Sequence, residues 1–216
     1  MSEDRHSVAE SVDLIKDPEL KARREAENGV RQFNAAVQII RSHIPNHDGS
    51  FKLRQSTLLK LHKESLDGIH PLTGTYRNSR VFIEKSNHLP PQSVEVPDHV
   101  AEMCDYVNSN WVDKNAVHLA SYVLWRTNWI HPFADGNGRT ARVVSYVVLN
   151  IKLNSLLPGT PTIPDLIAAD KRPYYLALEK ADQEWRFEKV DLSAMETLLE
   201  RLLAEQLLSA TKEAGL

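Results

Sequence analysis

The sequence predicts an all-α fold, a helical bundle carrying one small β-hairpin. Three observations predict it. Val30, Phe33, Val37, Ile40 and Ile44 recur at three- and four-residue steps, which puts them on one helical face. Residues 115–130 (NAVHLASYVLWRTNWI) are apolar on most faces, as in a central buried helix. Strand-like alternation is limited to one short stretch, Arg80–Glu84.

The elements follow in order. Residues 1–17 form a polar, unpatterned lead-in. Pro18 stands where a helix starts, with Glu19 in its first turn. Asn28-Gly29 favours a left-handed turn and closes a short helix over 18–29, ahead of a main domain over 30–185. The helix from Val30 ends at Pro45 and Asp48-Gly49. Residues 51–66 make a second helix with Leu58, Leu61 and Leu66 inward. Residues 67–97, rich in proline and glycine, read as an ordered surface loop with the hairpin. Helices follow over 98–112, 115–130 and 139–152, then a proline linker at 158–164. Helices over 165–185 and 191–213 close the chain. Residues 186–216, with Leu192, Met195, Leu199, Leu202 and Leu203, are expected to pack on the domain or on a second copy in a homodimer.

Bulk properties exclude several classes. With 42% apolar and 25% charged residues, the chain has the balance of a folded soluble protein. A net charge of −3 argues against a broad nucleic-acid surface. One cysteine, Cys104, builds neither a disulfide framework nor a thiolate zinc site, and a cytoplasmic setting is expected. The N-terminus has no apolar core for a secretory signal, and the run Val143–Leu149 is too short to span a bilayer.

The chemistry concentrates in His131-Pro132-Phe133-Ala134-Asp135-Gly136-Asn137-Gly138-Arg139-Thr140-Ala141-Arg142, a loop between two apolar helices. Its glycines can take positive φ, and the amides of residues 136–139 can converge at a helix N-terminus as an anion nest. Arg139 and Arg142, three apart, share a helical face and suit a polyphosphate. Asp135 offers a hard oxygen ligand for Mg2+. His131 at the other rim is the candidate general base. Nest, paired arginines, metal carboxylate and base together fit phosphoryl or nucleotidyl transfer.

Competing motifs fit these residues less well. Residues 136–141 match GxGxxA, but a helix precedes them where a strand is needed. No Gly-Lys-Ser/Thr marks a Walker A site, and Tyr146 stands where an EF-hand needs glutamate. Asp135 stands where a zinc helix would place its second histidine.

The run resembles the Fic family signature HxFx[DE]GNGRxxR at every defined position. The resemblance implies a mostly helical fold and transfer of AMP from ATP, with Mg2+, to a Ser, Thr or Tyr hydroxyl of a target protein. It implies His131 as base, Phe133 as the loop's anchor, Asp135 as Mg2+ ligand and Gly136, Asn137 and Gly138 as phosphate binders. Arg139 and Arg142 would hold the β- and γ-phosphates. Upstream, Thr73–Arg77 with Val81-Phe82-Ile83 and His88–Pro91 is similar to the family's flap. That likeness implies Tyr76, Arg77, Val81, Phe82 and Ile83 as the surface that aligns a target segment by strand pairing. Glu27-Asn28 is similar to the end of the family's inhibitory [ST]xxxE[GN] helix, although Arg23 replaces the Ser or Thr. That likeness implies a Glu27–Arg142 pair that displaces the γ-phosphate. Transfer of another nucleotide or phosphodiester group, removal of AMP, and a non-enzymatic nucleotide-binding module are the alternative readings.

Overall fold

The computed structural model describes residues 5, 7–8, 14–44, 51–213 and 215. It is mostly helical, as expected. Strand β1 (Ser7–Val8) comes first, then helices α1 (Pro18–His43) and α2 (Gln55–Leu66). Strand β2 (Phe82–Ile83) follows, with a 3-10 turn at Ser93–Glu95. Helices α3 (Val96–Ser109), α4 (Ala116–Ile130), α5 (Asn137–Lys152), α6 (Ile163–Ala169), α7 (Arg172–Trp185) and α8 (Ser193–Glu213) complete the chain.

The centre is the pair α4 and α5, joined by the motif loop and packed on each other. Leu119, Val123 and Leu124 of α4 and Val144, Val147 and Val148 of α5 are fully buried between the surrounding helices. Helices α1 and α2 cover α5, α3 covers α4, and α8 lies on α4, α6 and α7. The leucine stripe of α8 is thereby used within the chain, with Leu192, Met195, Leu199 and Leu202 all buried.

Helix α1 departs from expectation. Asp17 caps it by accepting from the amides of Glu19 and Leu20, but no break occurs at Asn28-Gly29. Asn28 is fully buried and its Nδ2 donates to the carbonyl of Asp67 at 2.9 Å. Gln32 is buried too, and its Nε2 donates to the carbonyl of Leu61 at 3.1 Å. These ties to α2 offset the cost of a mid-helix glycine, about 1 kcal/mol. They also rotate the helix, so Val30 is 63% exposed and the inner face runs through Asn28, Gln32, Ala35, Ala36 and Ile40. The expected stops at Pro45 and Asp48-Gly49 lie outside the described residues, as does most of the lead-in over residues 1–17.

Two further differences matter. The helix expected over 165–185 is split into α6 and α7, because Pro173 opens a fresh first turn after Asp170. The expected hairpin is absent among the described residues. Strand β2 pairs antiparallel with β1 instead, Ser7 opposite Ile83 and Val8 opposite Phe82.

Candidate active site

Helix α4 ends at His131, which turns left-handed at φ 51°. The loop then crosses to α5 and turns again at Gly136, φ 74°. The positive φ favours glycine at 136, and an added Cβ would also meet Leu66 Cδ1 at 3.0 Å, so Leu66 would have to shift. Helix α5 begins at Asn137, two residues earlier than expected, so the amides of Asn137, Gly138 and Arg139 belong to a first turn without intrahelical acceptors. They border a cavity of about 200 Å3 that His131, Asp135, Arg139 and Arg142 also line.

His131 is almost completely buried. Its Nδ1 faces the backbone oxygen of Asn128 at 3.3 Å. A carbonyl only accepts, so Nδ1 carries the proton and Nε2 keeps its lone pair. Nε2 accepts from the hydroxyl of Ser7 at 2.8 Å. Burial, with the charges of His88 and Arg77 adding, lowers the His131 pKa from 6.5 to about 3. The imidazole is therefore neutral at physiological pH.

The loop is braced from three sides. Phe133 is fully buried, and the ring of His62 stacks on it. Gly74 N–H donates to His62 Nδ1 at 3.0 Å, which leaves His62 Nε2–H to donate to the carbonyl of Asp135 at 3.0 Å. Burial lowers the His62 pKa to about 4. The Asn137 side chain closes the loop across its base, since Oδ1 accepts from Phe133 N–H at 2.8 Å and Nδ2 donates to Phe133 O at 2.7 Å.

Arg77 supplies the third brace. Its guanidinium donates to the carbonyls of His131 at 2.8 Å, Ser79 at 3.0 Å and Ile130 at 3.4 Å. Its own amide donates to Pro132 O at 2.9 Å. Arg77 was expected on the target-facing flap, but it is buried because it fans across the carbonyls at the end of α4. Tyr76 likewise faces inward, toward Phe133 at 6.0 Å between ring centroids, and donates to Gln55 Oε1 at 2.9 Å. Val81 is buried as well. Only Phe82 and Ile83 of that group form the strand edge.

The two motif arginines differ. Arg139 donates to Ser65 O at 3.3 Å and pairs with Glu25 Oε1 at 3.4 Å. Arg142 lines the cavity with neither hydrogen bond nor ion pair among the described residues, and burial, with Arg139 adding, lowers its pKa. The expected Glu27–Arg142 pair is not formed. Glu27 faces solvent and pairs with Arg23 at 3.2 Å and Arg24 at 3.8 Å, because a step of two residues along α1 puts Glu25, not Glu27, over the motif. No group of three or more His, Cys, Asp or Glu able to hold a metal occurs among the described residues; Asp135 lines the cavity, as does Asp182.

Residues 52–149 match the Fic/DOC family model. The chain carries a Fic/DOC domain. Among its relatives is the protein adenylyltransferase Fic of Nematostella vectensis, 28% identical over 160 residues, covering 72% of this chain and 34% of that one. The protein adenylyltransferase Fic of Drosophila willistoni is 29% identical over 129 residues, covering 58% of this chain and 24% of its own. This chain thus spans about a third or less of the curated relatives' length. A Fic family protein from Desulfovibrio desulfuricans G20 superposes with TM-score 0.60 at 20% identity, covering 93% of this chain and 68% of that one. Residues 134–508 of Fic-1 from C. elegans superpose with TM-score 0.65 at 19% identity, covering 93% and 54%. Both share the helical fold of this Fic/DOC domain.

His62, Asn128 and Ser7 were not among the residues that sequence reasoning selected. His62 is a lone histidine on a helix, and Ser7 sits in a polar lead-in. Neither carries a local signal. No helix among the described residues is long and apolar enough to cross a membrane.

Proposed function

We propose that this Fic/DOC domain transfers AMP from ATP to a hydroxyl side chain of a target protein. The observation that carries the reading is the buried, neutral His131, whose Nε2 accepts from a hydroxyl at 2.8 Å beside the first turn of α5. A base so poised takes the hydroxyl proton as the oxygen attacks phosphorus. Arg142, with no partner among the described residues, and the first-turn amides of Asn137, Gly138 and Arg139 would hold the phosphate oxygens and the departing pyrophosphate. The Asn137 side chain is already spent on Phe133, so its phosphate contact is through the backbone. Asp135 would hold Mg2+ jointly with the nucleotide, since one carboxylate plus phosphate oxygens suits that ion. When bound, the ion neutralises diphosphate charge.

Helix α1 supports a restraint on the same site. Glu25 engages Arg139 and withholds its guanidinium from phosphate, the part that Glu27 was expected to play at Arg142. Phe82 and Ile83 form the edge that β1 occupies, and an extended target segment that displaces β1 can pair there instead.

The test is to incubate the protein with ATP labelled at the α-phosphate and a lysate. Labelled protein is expected with the wild type and none with His131→Ala, while His131→Ala still binds nucleotide. Equal labelling by both would remove His131 from the mechanism.

A further inference from the structure

The strand edge is already taken, and by this chain. β1 pairs with β2 in antiparallel register, Ser7 opposite Ile83 and Val8 opposite Phe82. This pairing delivers one hydroxyl to the catalytic histidine, with Ser7 Oγ 2.8 Å from His131 Nε2. Asn137 Nδ2 donates to the same oxygen at 3.4 Å, which leaves the serine proton directed at the histidine lone pair.

Neighbouring contacts hold the segment in that place. The backbone N–H of Arg5 donates to Tyr175 Oη at 3.2 Å. Its guanidinium lies 4.3 Å from the centre of the Tyr175 ring and pairs with Glu179. Farther along, Leu14 N–H donates to Ile69 O at 2.9 Å, just before α1 begins. Residues on both sides of Ser7 are thus tied to the domain, and Arg5 and Ser7 line the same cavity as Asp135, Arg139 and Arg142.

We infer that Ser7 is an acceptor of the transferred AMP within its own chain, an inference that rests on the proposed nucleotidyl transfer. The step balances. Ser7 Oγ forms a bond to the α-phosphorus of ATP as His131 Nε2 takes its proton. The bond from that phosphorus to the bridging oxygen breaks, and pyrophosphate leaves with the electron pair. The product is a phosphodiester on Ser7. Tethering makes the step first order in protein, because the hydroxyl is held at the base rather than captured from solution. It also sets Ser7 in competition with any target segment for β2.

The full chain is incubated with magnesium and ATP, then digested and mapped by mass spectrometry, alongside a lysate labelling assay. One adenylyl group on the Ser7 peptide is expected, formed at a rate that dilution does not slow. Ser7→Ala should lose that adduct, Ser7→Thr should retain it, and His131→Ala should lose it with the fold intact. Labelled lysate proteins with Ser7 unmodified would overturn the inference and leave the proposed function standing. A Ser7 adduct whose formation slows on dilution would also overturn it, because the segment would then come from a second copy. No label on any protein would bring down both.

Discussion

The rings of His62 and Phe133 lie face to face, centroids 3.7 Å apart and 4° from parallel. Through this stack α2 carries the middle of the motif loop, and the His62 Nε2–H bond to Asp135 O holds the residue that would ligate Mg2+. His131 at one end of the loop and the first turn of α5 at the other keep their spacing because His62 and Arg77, outside the motif, brace the loop.

Replacing His62 should therefore cost both stability and activity. His62→Ala removes a buried ring and leaves Asp135 O and Gly74 N–H without their partner, a loss of about 3 kcal/mol. His62→Phe should recover part of the stability and little of the activity, since the ring returns without its hydrogen bonds. Denaturant melts and AMP-transfer rates on the same samples check this. Equal activity of His62→Phe and wild type would contradict a positioning role.

Arg77 should resist its nominally conservative replacement. Lysine keeps the charge but cannot span the carbonyls of Ile130, His131 and Ser79 with one planar group. Arg77→Lys should lose about 2 kcal/mol of stability. Its transfer rate should fall with target affinity at β2 little changed, because Arg77 does not face the target.

The pH response follows from the two buried histidines. His131 and His62 have their pKa values lowered to about 3 and about 4 in the folded state, and both titrate near 6.5 when unfolded. Their contribution to stability is whole above pH 6.5. As pH falls below that, the unfolded chain takes up protons that the folded chain refuses, and stability declines. For His62 alone the loss is about 3 kcal/mol by pH 4. The acid limb of activity should lie well below 6.5, because the base stays neutral there. Denaturation midpoints and transfer rates between pH 4 and 8 measure both, and an activity midpoint near 6.5 would contradict the buried base.

The motif arginines should separate. Arg142→Ala should weaken ATP binding about 30-fold, or about 2 kcal/mol, because among the described residues no other side chain pairs with that guanidinium. Glu25→Ala frees Arg139 from a half-exposed ion pair and should tighten ATP binding by about twofold to fivefold. Glu27→Ala should change it little. Calorimetric titration with ATP distinguishes the three, and a larger gain from Glu27→Ala than from Glu25→Ala would restore Glu27 to the inhibitory role.

What the sequence made legible was what is local. The motif is a turn between two helices, so its glycines, arginines and histidine lie within 12 contiguous residues, and Leu58, Leu61 and Leu66 show their inward face through spacing alone. What stayed hidden depends on distant partners. Asn28 is buried because Asp67, 39 residues away, accepts its hydrogen bond. Arg77 turns inward to reach His131, 54 residues on. Ser7 meets His131 across 124 residues. A polar side chain gives no periodic signal of such a partner, so these residues look like solvated positions until the chain is folded.

The proposed reaction moves AMP to a hydroxyl that His131 deprotonates. The most direct measurement compares ATP labelled at the α-phosphate with ATP labelled at the γ-phosphate, in wild type and His131→Ala. Protein is expected to take up the α label alone, with pyrophosphate released in equal amount, and His131→Ala is expected to do neither. Uptake of the γ label, or unchanged uptake by His131→Ala, would contradict it.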